Sequence, residues 1–255
     1  EIIGIHYFQW MDQPVFGIIP ARYNSRRFPG KPLANILGRP MFWHVYMRAI
    51  ESSVFQQIAL ATDSQEIKSR AEELQVPVLM TSSEHQSGTE RVLEAAIKLQ
   101  APSQALIVNI QGDEPALEPA IFQDLLLPFK EQEVKVSTLV QKISADQAQN
   151  PNLVKVVCSK QGKALYFSRS PIPYARENAE LTFWGHIGLY AFRLETLRTF
   201  CTLQKTPLEE IEKLEQLRLL EADIPIHVQP TTHASYGVDQ TEDIAIVEKI
   251  LQERQ

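Results

Sequence analysis

Alternation of period is the feature that most constrains this chain. From Val15 onward, short apolar runs alternate with stretches of helical spacing. Val15–Pro20 (VFGIIP) is continuously apolar and reads as a strand buried on both faces. A polar loop containing Gly and Pro, Ala21–Leu33, follows it. Pro40 suits the first position of a helix, with Phe42, Val45, Tyr46 and Ala49 on one face. Ile58–Ala61 reads as a strand, Gln65–Leu74 as a helix and Val76–Met80 as a strand. Ser87-Gly-Thr-Glu90 has capping-box spacing and predicts a helix to about Leu99. Leu106–Ile110 (LIVNI) gives the strongest strand signal. It stops at Gln111-Gly-Asp-Glu-Pro115, and a helix near Pro119–Phe129 follows. This βαβα order predicts a mainly parallel sheet with helices on both faces.

The second half changes character. Val154–Cys158 and Lys163–Phe167 flank Lys160-Gln-Gly162, a hairpin signal. His186–Phe192 reads as a strand. Glu209–Leu220 reads as a helix burying Ile211, Leu214 and Leu217. Ile244, Val247, Ile250 and Leu251 give the last helix its apolar face. No repeat, low-complexity stretch or linker interrupts the chain. Residues 15–255 are therefore expected to form one α/β domain with a smaller antiparallel portion. Residues 1–14 are expected to be an extension. Its segment Ile2–Trp10 is aromatic, too short for a signal peptide and lacks a basic start. Met11 is a candidate natural first residue.

Composition narrows the function. The chain has 255 residues, with 25 Lys+Arg against 31 Asp+Glu and a formal charge of −6. At 44% hydrophobic and 22% charged it is not a disordered chain. It has no apolar run long enough to span a membrane, and its acidic balance argues against a general nucleic-acid binder. An anionic ligand would have to be held by a local basic cluster. Cys158 and Cys201 have no CxxC or metal-like spacing, and read as buried thiols of a reducing, cytoplasmic compartment.

The first loop supplies such a cluster. Arg22-Tyr-Asn-Ser-Arg-Arg-Phe-Pro-Gly-Lys31 carries four cations in ten residues and no acid. It leaves the carboxyl end of the first strand, where open α/β sheets bind ligands. Arg22 and Lys31 bracket a turn suited to a polyphosphate, the alternative being a solvated basic loop. The loop has no GxGxxG, and Gly30-Lys31-Pro32 does not complete a P-loop. Asp113, ending the strongest strand, is placed to hold Mg²⁺ or to cap the next turn. Arg91 lies in the first turn of its helix, where a cation opposes the dipole. It marks an anion site or a partner such as Glu94. Arg169 follows a strand, ahead of two prolines. His186 and Tyr190, four apart on a strand, face one side. Asp239-Gln-Thr-Glu242 has the pattern of a helix cap with its capping-box partner. Glu215 and Gln216 sit on the flank of the predicted amphipathic helix. No His/Cys grouping has zinc spacing, and no GxSxG elbow is present.

Eight segments resemble the 3-deoxy-manno-octulosonate (Kdo) cytidylyltransferases, also called CMP-Kdo synthetases. They are IPAR with SRRFPGKPL (19–33), ATDS (61–64), SGTER (87–91), NIQGDEP (109–115), LYFSRSPIP (165–173), HIGLYAFR (186–193), LEQLRLLE (214–221) and GVDQTED (237–243). They are colinear and cover nearly all the chain after residue 14. The resemblance implies a Rossmann-like nucleotidyltransferase fold and a cytoplasmic, homodimeric, Mg²⁺-dependent enzyme of lipopolysaccharide synthesis. It further implies CMP transfer from CTP to the acidic eight-carbon sugar Kdo, releasing pyrophosphate. By this resemblance Arg22, Lys31, Asp113 and Asp239 are catalytic, with Asp113 and Asp239 as metal ligands. Ala21, Arg22, Lys31, Thr62, Asp63 and Gln111 would bind the nucleotide. Arg91, Arg169, His186, Tyr190, Glu215 and Gln216 would bind the sugar acid. The departures are Tyr23-Asn24 in the first loop and Thr206-Pro-Leu before a helix. The alternatives are a cytidylyltransferase for an 8-amino Kdo analogue or a sialic acid, or a nucleotide-sensing module without turnover.

Overall fold

The computed structural model describes residues 13–23, 28–174, 176 and 182–254. Residues 1–12 of the expected 1–14 extension, and residues 24–27 of the first loop, lie outside the described residues.

In chain order the elements are β1 (Val15–Ala21), a 3-10 turn (Lys31–Leu33), β2 (Asn35–Ile36), β3 (Arg39–Pro40), α1 (Met41–Glu51), β4 (Gln57–Thr62), α2 (Gln65–Glu73), β5 (Val78–Met80), α3 (Gly88–Lys98), β6 (Leu106–Asn109) and α4 (Ile121–Leu126). They continue as β7 (Val136–Ile143), α5 (Ala145–Ala148), β8 (Lys155–Cys158), β9 (Ala164–Ser168), β10 (Phe183–Arg193), α6 (Leu194–Thr202), α7 (Pro207–Glu212), α8 (Leu217–Glu221), β11 (Ile226–Pro230) and α9 (Asp243–Glu253). They divide into two compact units. One comprises the chain up to Gln123, Arg193–Leu197 and the part from His233 onward. The other comprises Asp124–Phe192 and Arg198–Thr232.

The first unit is built on parallel strands in the order β5-β4-β1-β6. Six of the seven β1 residues are buried, as a strand covered on both faces requires. Ala21 pairs with Thr62 and Ile18 with Asn109, so the strands end at one edge. Loops 21–33, 62–64 and 110–115 all leave from that edge. Gly112 allows two of them to meet: a Cβ there would lie 2.9 Å from the Pro20 carbonyl oxygen. Phe42, Val45 and Ala49 of α1 and Val92, Ala95 and Ala96 of α3 supply buried helix faces. Pro40 caps α1 rather than occupying its first turn. Ser87 caps α3 as expected, its Oγ accepting from the Glu90 amide at 3.2 Å. The Glu90 carboxylate accepts from the Gln86 amide at 2.7 Å. α9 buries Val247 and Leu251 against Ile36, Met41, Ala116 and Val238.

The second unit is mostly antiparallel. β7 pairs antiparallel with β10 and parallel with β11, and the expected hairpin is β8–β9. Cys158 and Cys201 are both free thiols, half-buried rather than fully buried. Burial pushes the Cys158 thiol up to about 11.

The predicted continuous helix over 209–220 is broken. Lys213 adopts a left-handed conformation (φ 56°) and ends α7, and α8 starts at Leu217. Ile211 is 78% exposed, whereas Leu214 and Leu217 are buried. The break has an electrostatic reason. Arg218 donates to both carboxylate oxygens of Glu209, at 2.8 and 2.6 Å, and both residues are buried. In a continuous helix nine residues rise about 13 Å, too far for this pair to close. The expected outcome for Glu209→Ala is a loss of about 3–5 kcal/mol, because Arg218 is left buried without its counter-charge. Thermal and urea unfolding check this, and Glu209→Ala with Arg218→Met should recover much of the loss.

Candidate active site

The first unit gathers most of the predicted residues toward the carboxyl edge of its sheet. Ala21 and Thr62 are paired strand ends. Thr62 is fully buried, and its Oγ1 accepts from the Ser64 amide at 3.1 Å. Arg22 donates to the His85 carbonyl at 3.1 Å. Gln111 is half-buried at the start of the loop after β6. Lys31 reaches across to this loop, its Nζ lying 2.7 Å from Asp113 Oδ2.

Arg91 answers the question its sequence position raised. It is fully buried, with Nη2 at 2.7 Å from Asp63 Oδ2 and Nη1 at 2.5 Å from Thr81 Oγ1. Its partner is therefore Asp63, from the end of β4, and not Glu94. Glu94 instead pairs with His85 and Lys98. Arg91 Nε is buried without a hydrogen-bond partner among the described residues.

Asp239 is not the cap that its pattern predicts. α9 begins at Asp243, whose carboxylate accepts from the Asp239 and Gln240 amides at 2.7 and 2.8 Å. The segment before it runs along the 113–118 loop instead. Val238 N donates to the Asp113 carbonyl at 2.8 Å, and the Ser235 hydroxyl donates to Glu114. Glu114 was missed in the sequence, although it adjoins Asp113. Burial first, and then the charges of Asp113 and Asp239, push its carboxyl up to about 7, against the Ser235 hydrogen bond and the Lys31 charge. Three carboxyls thus crowd one region, facing Lys31. Among the described residues no three His, Cys, Asp or Glu side chains form a closed cation cage. Mg²⁺ does not need one, since it binds through one or two carboxylates and keeps waters and phosphate oxygens. The donor set at Asp113 and Asp239 fits that ion.

The second unit gathers the rest. On β10, His186 and Tyr190 share a face, with ring centroids 5.4 Å apart. The β7–β10 register shifts between Ile187 and Tyr190. Buried Thr138 sits at that shift, its hydroxyl donating to the Leu189 carbonyl at 2.7 Å. With its one proton used, Thr138 Oγ1 accepts from His186 Nε2, 2.9 Å away. This network assigns the proton to Nε2 and leaves Nδ1 as an acceptor. Burial lowers the His186 pKa to about 3, so the ring is neutral near pH 7. Tyr190 is raised well above its ordinary value, by burial first and then by the Glu215 charge. Its buried hydroxyl has no hydrogen-bond partner of good geometry among the described residues, although Thr138 lies near it. An orphaned buried hydroxyl is what a ligand or an ordered water satisfies.

Glu215 and Gln216 lie in the turn between α7 and α8, not on a helix flank, and Gln216 is buried. Arg169 is tied to the end of α7. Its Nε donates to the Glu212 carbonyl (2.7 Å), Nη1 to Pro151 (3.0 Å) and Nη2 to Lys213 (3.4 Å). Its amide and the Ser168 hydroxyl donate to the Glu212 carboxylate. Fully buried Lys155 holds the same strand end, donating to the Asn150, Leu153 and Arg169 carbonyls at 2.9, 2.6 and 2.5 Å. Lys155 and Glu212 carry no motif in the sequence. Only the fold brings them to Arg169.

The Cytidylyltransferase family profile matches residues 16–226. A 3-deoxy-manno-octulosonate cytidylyltransferase of Lawsonia intracellularis is 54% identical over 240 residues, 94% of each chain. One from Nitratidesulfovibrio vulgaris (Hildenborough) is 54% identical over 242 residues, 93% of this chain and 96% of its own. The chain belongs to the 3-deoxy-manno-octulosonate cytidylyltransferase family. A solved CMP:2-keto-3-deoxy-manno-octonic acid synthetase, complexed with CTP, is 37% identical at a TM-score of 0.90. The match covers 95% of this chain and all of that one. A putative glucose-1-phosphate thymidylyltransferase of Bacillus anthracis, 13% identical at a TM-score of 0.65, shares the fold.

The neutral His186 gives a testable pH dependence. The unfolded ring takes up a proton near pH 6.5, and the folded one only near 3. The unfolded state therefore binds more protons between those values, and stability falls as pH drops through that window. His186→Gln is expected to flatten the loss of stability between pH 6.5 and 3. Urea unfolding at several pH values reads it.

Proposed function

We infer that the chain transfers CMP from CTP to the anomeric hydroxyl of Kdo. The observation that carries this reading is the Lys31–Asp113 pair at the carboxyl edge of the parallel sheet. There a phosphate-seeking cation and a metal-seeking carboxylate meet at 2.7 Å. The sugar oxygen forms a bond to the α-phosphorus as the bond to the β-phosphate bridging oxygen breaks. CMP-Kdo and pyrophosphate result, and the hydroxyl proton passes to solvent.

Such a transfer needs positioning and charge neutralisation more than covalent help. Lys31 and Arg22 offset the triphosphate charge, and Lys31 stabilises the departing pyrophosphate. Ala21, Thr62, Asp63 and Gln111 line the same strand ends and hold the nucleotide. Asp113 and Asp239 hold Mg²⁺, which when bound supplies positive charge at the reacting phosphate and acidifies a hydroxyl beside it. Tyr190 and His186 Nδ1 meet the hydroxyl-bearing sugar, with Glu215 and Gln216 beside them. Arg169 supplies positive charge toward its carboxylate. The enzyme works as a cytoplasmic homodimer in lipopolysaccharide synthesis. No helix among the described residues is long and apolar enough to cross a membrane.

Pyrophosphate release with CTP and a panel of 2-keto-3-deoxy sugar acids tests this reading. Kdo with CTP should turn over fastest. A base-reading site should prefer CTP to ATP and GTP by at least about 100-fold in kcat/KM. Comparable turnover with ATP would overturn the assignment. Faster use of an 8-amino analogue or a sialic acid would change the substrate. CTP binding without turnover would favour a sensing module.

Asp239→Asn separates metal chemistry from helix architecture. α9 starts four residues later, so the melting temperature should barely move. Turnover at ordinary Mg²⁺ should fall about 10²–10³-fold, the size expected for losing one preorganised charge. Partial recovery at higher Mg²⁺ or with Mn²⁺ would mark the residue as a ligand. Retention of most kcat at limiting Mg²⁺ would remove Asp239 from the metal site.

A further inference from the structure

Residues 233–242 form neither helix nor strand, yet they carry Asp239. No sheet ladder fixes their register against the loop that carries Asp113. Two backbone hydrogen bonds join the segments: Glu118 N to the Ala234 carbonyl at 3.0 Å, and Val238 N to the Asp113 carbonyl at 2.8 Å. Side chains supply the rest, and they converge on Glu118. One carboxylate oxygen meets His233 Nδ1 at 3.0 Å, and the other accepts from Arg254 Nη2 at 3.2 Å. The second fork of Arg254 donates to the Ala116 carbonyl at 2.7 Å, and its guanidinium carbon lies 5.9 Å from the Tyr236 ring centroid. Arg254 follows directly on α9. One side chain thus ties the end of the last helix to both segments.

We propose that Glu118 and Arg254 are positioning residues that hold Asp239 in register with Asp113. The proposal rests on the reading of these two aspartates as metal acids. The physical need for a clasp is the scarcity of backbone pairing between the two segments. The charges of Asp113 and Asp239 both bear on Glu114, and the irregular segment that carries Asp239 has little backbone pairing to hold it there. The Glu118–Arg254–His233 contacts lie at the far end of the segment from Asp239. They constrain its path while keeping the clasping groups away from the metal.

The test uses the full-length enzyme with Arg254→Ala and, as a variant of conserved shape, Glu118→Gln. Three quantities are read. They are amide hydrogen exchange over 233–239, Mn²⁺ binding by electron paramagnetic resonance with CTP present, and the Mg²⁺ concentration for half-maximal turnover. Loosening the clasp should speed exchange of the Val238 amide. It should weaken Mn²⁺ binding and raise the Mg²⁺ requirement about 10–100-fold, the scale found when supports of metal ligands are removed. KM for the sugar acid should stay within twofold of the wild-type value, and Arg254→Lys should recover part of the loss. Unchanged exchange would show that Arg254 does not hold the segment. Faster exchange with unchanged Mn²⁺ affinity would show that the clasp does not position the acid. Either result overturns the proposal alone if Asp239→Asn itself weakens Mn²⁺ binding. If Asp239→Asn leaves it unaltered, the metal reading falls first.

Discussion

The parallel pairing of β1 between β4 and β6 is the constraint on which the candidate site of the first unit depends. Parallel strands must run in one direction, so their carboxyl ends, and the loops leaving them, share an edge. Registers fix the detail. Ala21 lies opposite Thr62, and Ile110 donates to the Ile18 carbonyl at 2.9 Å. Residues 22–31 and 111–113 are then close enough for Lys31 to meet Asp113. Gly112 is part of the same constraint, because the loop after β6 passes against the Pro20 carbonyl where a side chain would clash.

Charge is organised on that edge by division of labour among the cations. A chain of net charge −6 that handles two anionic substrates needs its positive charges placed with care. Arg91 pairs with Asp63 and Arg218 with Glu209. Lys155 is buried among main-chain carbonyls, and burial and the nearby Arg169 charge lower its pKa, partly opposed by Glu212. These groups fix structure. Lys31 differs, because its partner Asp113 belongs to a group of three carboxyls that exceeds its single charge. On the proposed function, a triphosphate would share the Lys31 charge, and Asp113 with Asp239 would hold a bound Mg²⁺.

Local patterns showed in the sequence, and long-range pairings did not. The β1 strand, the Ser87 cap and the β8–β9 hairpin follow from periodicity and turn chemistry within a few residues. The helix over 209–220 fails for the opposite reason. Its apolar spacing is helical, but a buried Glu209–Arg218 pair requires a bend, and apolar spacing carries no information about that pair. Asp239 fails in the same way. Its cap pattern is real, but α9 begins four residues later, and Asp243 reaches back to accept from the Asp239 and Gln240 amides. Arg91 stood out because it opposes a helix dipole, and that conflict did mark a buried charge whose partner lay 28 residues away. Glu118, His233 and Arg254 break no local rule, so nothing in their neighbourhoods draws attention to them.

The residues gathered in the second unit follow a different electrostatic logic from those of the first. His186 is neutral and Tyr190 keeps its proton, so this face offers hydrogen bonds without charge. Such groups suit hydroxyls, and the burial that keeps them neutral also makes an unmet hydroxyl costly. Positive charge comes instead from Arg169, whose fork already donates to three carbonyls around the end of α7. Those bonds orient the cation without neutralising it, since carbonyls carry only partial charge. On the proposed function a sugar carboxylate would therefore feel Arg169 first as a fixed charge acting at a distance. A bidentate clasp would require it to displace the Glu212, Pro151 and Lys213 carbonyls. On the proposed function, attraction of the acid would be long-ranged and tolerant of shape, and discrimination among sugar tails would fall to the neutral, geometrically strict pair on β10.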